Sequence, residues 1–146
     1  MTLFYLVSML QKFIVSTQGK GDIVDITRKV EENLEEMKEK EGVVCVFVSG
    51  STAAISATEY EPGVVKDIQQ VLEEIAPFGA DYRHHQRWGD QNGDAHIKSA
   101  LIGPDMTVPV HQGELILGTW QQLILMDFDE RERQREVWVR MIKDVS

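Results

Sequence analysis

Apolar and polar positions alternate from Met9 to Thr17, where Leu10, Lys12, Ile14 and Ser16 oppose Gln11, Phe13, Val15 and Thr17. A period of two with β-branched residues toward its end predicts a strand. The period changes after the turn Gln18-Gly19-Lys20-Gly21-Asp22. Ile23, Ile26, Val30, Leu34 and Met37 recur at three- and four-residue spacing, which predicts an amphipathic helix over Thr27 to Lys40, with Asp25 or Thr27 as its cap. Its other face is charged, as a solvated helix face is, and Gly42 ends it. Val43 to Val48 is a continuous apolar run, which predicts a strand buried on both faces. The hydroxyl-rich turn Ser49-Gly50-Ser51-Thr52 leads into a second strand, Ala53 to Glu59. Pro62 opens a helix over Val64 to Ile75, stopped by Pro77 and Gly79. Beyond Tyr82 to Lys98 the chain reads as short strands and turns: His96 to Ile102, Met106 to Val110 (an edge strand, because of Pro109), Glu114 to Leu117, Trp120 to Phe128 and Arg135 to Met141.

This order is strand, helix, two strands, helix, then five or six strands. Their short connections favour antiparallel pairing, and the expected class is α+β. One face of the large sheet takes the helices; the other needs a second sheet or a neighbouring subunit. No internal repeat or linker interrupts the chain. Its 146 residues fit one domain with a single core. That domain is expected over residues 9–146. Residues 1–8 form an N-terminal extension, and Met9, where the pattern begins, is the expected natural start.

A net charge of −9 argues against a broad nucleic-acid face, so an anionic ligand would be held by a few convergent groups. No apolar stretch approaches the roughly 20 residues that span a membrane, and the N-terminus lacks the basic region and cleavage motif of a secretory signal. A single cysteine, Cys45, excludes an internal disulfide. It reads as buried filler, and a cytoplasmic location follows.

Tyr82 to Lys98, Y-R-H-H-Q-R-W-G-D-Q-N-G-D-A-H-I-K, holds three of the four histidines. On strand-like segments Asp94, His96 and Lys98 share a face. If the intervening turn folds the segments together, His84, Asp94 and His96 converge as two imidazoles and a carboxylate, a set suited to a divalent metal, zinc or magnesium. Histidines hydrogen-bonded in a polar loop or at a subunit contact are the equal alternative. Asp90 is a candidate general base or magnesium ligand, although turn chemistry alone also explains Asp90 and Asn92 between their glycines. Gly50, Ser51 and Thr52 offer N–H groups and hydroxyls to an anion. Lys98 and Arg87 are candidate phosphate neutralisers, and Glu59 a candidate at the same cleft.

Several motifs together carry a resemblance: Gly50-Ser51-Thr52-Ala53-Ala54-Ile55, Glu59, Pro62-Gly63, Tyr82-x-His84, Asp90-x-Asn92, Ala95-His96-Ile97-Lys98-Ser99, Gly103-Pro104, Val108-Pro109, Leu117-Gly118-Thr119-Trp120-Gln121 and Asp127-Phe128. From about Met9 to Met141 the chain resembles the YjbQ family, also called secondary thiamine-phosphate synthases. The resemblance implies an antiparallel β-sandwich-like α+β domain with two helices, a homotrimer, and a polar cleft near subunit contacts that is often assigned a metal ion. It also implies an activity, the joining of hydroxymethylpyrimidine diphosphate to hydroxyethylthiazole phosphate with release of pyrophosphate. Gly50 and Asp94 stand where many members have histidine, and Thr58 where asparagine is common; Gly50-Ser51-Thr52 marks a subfamily.

Three expectations follow. The first is the transferase, with His84, His96 and Asp94 on a metal, with Asp90, His96 and Glu59 catalytic, and with Gly50, Ser51, Thr52, Asn92 and Lys98 holding phosphate. The second is a metal-assisted phosphoryl or hydrolytic enzyme acting on an unknown metabolite. The third is a non-catalytic trimeric binding protein. All three exclude nucleic acid and membrane as partners and make a small phosphorylated metabolite the ligand of the first two.

Overall fold

The computed structural model describes residues 8–145. Its elements run β1 (Leu10–Thr17), β2 (Asp22–Asp25), α1 (Thr27–Met37), β3 (Gly42–Val48), β4 (Ala53–Thr58), α2 (Pro62–Ile75), α3 (Arg83–Trp88), α4 (Gly93–Ile102), β5 (Asp105–His111), β6 (Glu114–Leu115), β7 (Gln122–Asp127) and β8 (Arg133–Lys143). Strands pair as a five-stranded sheet, β1-β8-β3-β5-β6, and a three-stranded sheet, β2-β7-β4. Every pairing is antiparallel, so the α+β expectation stands.

The molecule has three layers. Val44, Val46, Val48, Val137, Val139 and Met141 from the large sheet meet Ala53, Ile55, Leu123 and Leu125 from the small one, and the apolar stripe of α1 (Val30, Leu34, Met37) closes this core. The opposite face of the small sheet, with Ala54, Ile124 and Met126, packs against Leu72 of α2 and Ala95 of α4. The small sheet therefore lies between the large sheet and two helices. Its central strand β7 is buried on both faces from Leu123 onward.

That placement corrects the expectation for Val43 to Val48. Only alternate residues of β3 face the core; Phe47 on the other side is 40% exposed and Cys45 is half-buried. β3 has a packing layer on one side only, whereas β7 has one on each.

Four helices form among the described residues, two more than expected. His84 and His96, expected on strand-like segments, lie on α3 and α4. The buried positions of α4 are Asp94, Ala95, Lys98 and Ser99, a helical spacing, and Ala95, Ala100 and Leu101 are strong helix formers. Gly103-Pro104 ends α4 as a glycine-proline pair should. Ser99 Oγ donates to the Ala53 carbonyl at 2.6 Å, fastening α4 to β4.

Boundaries differ for local reasons. Lys38 takes a left-handed conformation (φ 60°), so α1 stops at Met37, before Lys40. Asp25 Oδ1 accepts from the Thr27 N–H and hydroxyl at the start of α1. Glu61 accepts from the N–H groups of Gly63 and Val64, which begins α2 at Pro62 and holds the Glu61 carboxyl below its usual value. The Met9 carbonyl accepts from Met141 N–H, joining the chain to the sheet there. Residues 1–7, most of the expected extension, lie outside the described residues. No described helix is long and apolar enough to cross a membrane.

Candidate functional site

Core-facing polar residues of three strands meet at one end of the two sheets. Arg135 shares its side of β8 with Val137 and Val139, and Asp127 ends β7. Arg135 Nε and Nη2 donate to Asp127 Oδ2 and Oδ1, both at 2.7 Å, a two-point ion pair with side chains 4% and 0% exposed. Arg135 Nη2 also donates to Thr52 Oγ1 at 2.7 Å. The Thr17 hydroxyl at the end of β1 donates to Asp127 Oδ2. Thr52 in turn donates to Asp129 Oδ2 at 3.0 Å. Burial pushes the Asp129 carboxyl up, but the Glu130 N–H, the Thr52 hydroxyl, the Arg133 charge and the Asn92 amide together hold it below the usual carboxylate range.

Above this network opens a cleft of about 560 Å³, within the size range of small-molecule sites. Gly50 and Ser51 line one wall, and His84, Asp90, Asn92 and His96 another. Glu130 and Arg131 come from the loop entering β8, and Arg133 from its first position. The rings of His84 and His96 stand edge to face with centroids 4.7 Å apart, and His84 Nε2 is buried without a hydrogen-bond partner. A buried polar atom left in this state lacks the partner that such groups ordinarily have.

The third histidine of the stretch is structural. His85 Nε2 accepts the Gly93 N–H at 3.0 Å, and the Tyr82 ring stands edge-on to His85 at 5.4 Å. A Cβ on Gly93 would lie 2.7 Å from Tyr82 Cβ, so only glycine lets the start of α4 close on α3.

Gly50, Ser51, His84, Asp90, Asn92 and His96 thus come together as expected. Others do not join them. Strand periodicity puts Asp94 and Lys98 beside His96. On a helix, residues two apart point about 200° from each other, so Asp94 and Lys98 leave His96 and pair with each other. Lys98 Nζ lies 2.9 Å from Asp94 Oδ2 and 2.8 Å from Glu73 Oε2, beside a separate cavity of about 390 Å³ between α2 and α4. Burial works to lower the Lys98 ammonium, yet its bonds to Glu73 and Asp94 keep it above its ordinary value. Thr52 lines the cleft, but its hydroxyl is already engaged by Arg135 and Asp129. Glu59 is exposed beyond the far end of β4, about 20 Å along the strand from Thr52. Two imidazoles remain of the expected metal set. Among the described residues no group of three or more His, Cys, Asp or Glu side chains is arranged to hold a metal ion. Catalytic zinc sites use three protein ligands, so the donors of one chain do not fit such a centre.

Five residues that line the cleft escape a reading of the sequence: Asp129, Glu130, Arg131, Arg133 and Arg135. One signal is available. Arg135 falls two residues before Val137 on the apolar face of its strand, where a cation requires a buried partner.

Residues 11–144 match a family described as UPF0047 protein, YjbQ-like. A UPF0047 protein of Archaeoglobus fulgidus is 36% identical over 123 residues, 84% of this chain and 94% of its own. The UPF0047 protein YugU of Bacillus subtilis is 33% identical over 135 residues, 92% of this chain and 99% of its own. Among solved structures, a YbjQ-like protein of unknown function from Sulfolobus solfataricus P2 superposes with a TM-score of 0.87 at 32% identity, covering 92% of this chain and 96% of that one. An uncharacterized protein of the same family from Clostridium acetobutylicum gives 0.83 at 32% identity, covering 90% and 99%.

Proposed function

The chain belongs to the YjbQ/UPF0047 family, and on that footing we propose that its cleft binds phosphorylated small metabolites and couples hydroxymethylpyrimidine diphosphate to hydroxyethylthiazole phosphate. In that coupling the thiazole nitrogen attacks the pyrimidine methylene carbon. The carbon–oxygen bond to the diphosphate breaks, and pyrophosphate leaves with the electron pair. The chain's task is to hold anionic oxygens and neutralise charge as it grows on the leaving group.

One observation carries the reading: the paired imidazoles of His84 and His96, one with an unpartnered buried nitrogen, share a cleft with the Gly50-Ser51 turn and two arginines. His96, backed by His84, donates a proton or a hydrogen bond to the departing pyrophosphate. Arg131 and Arg133 add positive charge at the cleft. Ser51 binds a phosphate oxygen, and Asp90 orients the pyrimidine by accepting from its amino group. Asn92 braces Asp129. No step passes through a metal. Lys98 and Asp94 support α4 against α2 and stand outside the reaction.

Self-association as a homotrimer belongs to the same proposal. Exposed Ile97, Leu101, Ile116 and Trp120 supply apolar surface for it. A chain without an internal disulfide suits a cytoplasmic location.

The test is formation of thiamine phosphate by purified protein given both substrates, read by mass spectrometry. Wild type forms product, and His96→Ala forms it at least about 100-fold more slowly, the usual loss for a proton-transfer group. No product from wild type, or equal rates from the two, overturns the proposal.

A further inference from the structure

Arginine carries five N–H donors in a rigid plane, and those of Arg135 can be accounted for one by one. Nε donates to Asp127 Oδ2, and Nη2 donates to Asp127 Oδ1 and Thr52 Oγ1. Three donors are engaged. The two on Nη1 have no partner among the described residues. The guanidinium cannot swing to find one, because Asp127 holds it at two points and is itself fixed by Thr17 and the Asp129 N–H. The side chain is 4% exposed, and Arg135 and Gly50 line the same cleft. Nη1 lies under Gly50: a Cβ built there would sit 2.9 Å from it, in a backbone conformation (φ 146°) that side-chain-bearing residues rarely adopt.

We propose that Arg135 Nη1 is an oxyanion donor at the base of the cleft, binding a phosphoryl oxygen of the ligand, and that residue 50 is glycine so that this donor stays open. The inference rests on the reading of the cleft as a phosphate site and adds the group that fixes the anion. Arg131 stands exposed on the loop, and Arg133, at the first position of β8, is half-buried with its Nη2 3.5 Å from Asp129 Oδ2. Arg135 is different: its plane is set before any ligand arrives, so little ordering is lost when the oxygen binds. The same contact tells phosphoryl groups from neutral ones, because an uncharged substituent would leave a buried cationic donor without an acceptor.

The full chain, labelled with ¹⁵N in arginine and histidine, is titrated with inorganic pyrophosphate and, separately, with acetate as a carboxylate control. The expected result is a saturable shift of the Arg135 Nη1 signals, with the same midpoint as shifts at His84 and His96, from pyrophosphate and not from acetate at equal concentration. Gly50→Ala weakens pyrophosphate binding at least about tenfold, the loss expected for a charge-assisted hydrogen bond. If that variant does not fold, the wild-type Nη1 signal decides. Shifts at His84 and His96 with Nη1 unmoved overturn this inference and leave the phosphate cleft standing. An equal response to acetate overturns the phosphoryl assignment. No shift at any of these residues overturns both readings.

Discussion

Arg135 and Asp127 form a buried ion pair whose value lies in its completeness. Removing one partner strands a charge in the core, so Asp127→Ala is expected to lower stability by about 3–5 kcal/mol in urea unfolding. Asp129 makes a pH-dependent contribution. Its folded pKa lies below its unfolded value of about 3.9, so its stabilisation is complete above that pH and is lost as pH falls through the lowered folded value. Asn92→Ala removes one of the donors responsible. Its destabilisation, measured by urea unfolding, should be largest near neutral pH and shrink below about pH 4; a penalty independent of pH would show that Asn92 does not act through Asp129. Residues of this kind are half legible in the sequence. A cation on the apolar side of β8 announces a buried partner, and His84 and His96 announce chemistry by type. That Thr52 is engaged, that His85 braces Gly93, and that Asp129 faces the cleft depend on distances between elements that no local pattern encodes.

At the scale of elements, the amphipathic stripe of α1 and the alternation of β1 and β8 read directly from the sequence, because each has a core on one side. Two elements mislead in instructive ways. Asp94, His96 and Lys98 alternate as a strand would, but α4 is recognised by its buried positions and its glycine-proline stop. Its polar residues divide between two faces where a strand would give them one. The continuous apolar run of β3 suggests double burial, which belongs instead to β7. The difference is measurable. Leu125→Ala and Ile124→Ala point to opposite sides of β7 and should each cost about 2–5 kcal/mol in urea unfolding. Phe47→Ala on the open side of β3 should cost well under about 2 kcal/mol, since much of its ring is already exposed. Comparable losses at Phe47 and Leu125 would contradict the three-layer arrangement.

For the whole molecule, α2 and α4 cover one face of the small sheet and the large sheet covers the other. The polar network lies where the ends of β1, β7 and β8 meet the Gly50–Thr52 turn. Two separate spaces flank α4: the polar cleft by His96, and the cavity by Lys98. Sequence spacing alone puts His96 and Lys98 in one site, so the division between these spaces is the structure's main correction to the functional reading. The most direct test is a crystal structure of the protein soaked with inorganic pyrophosphate. Pyrophosphate is expected in the cleft, between Gly50-Ser51 and the His84–His96 pair, with an oxygen on Arg135 Nη1. Pyrophosphate bound instead against Lys98, with none in the cleft, would contradict the assignment of the cleft as the phosphate site.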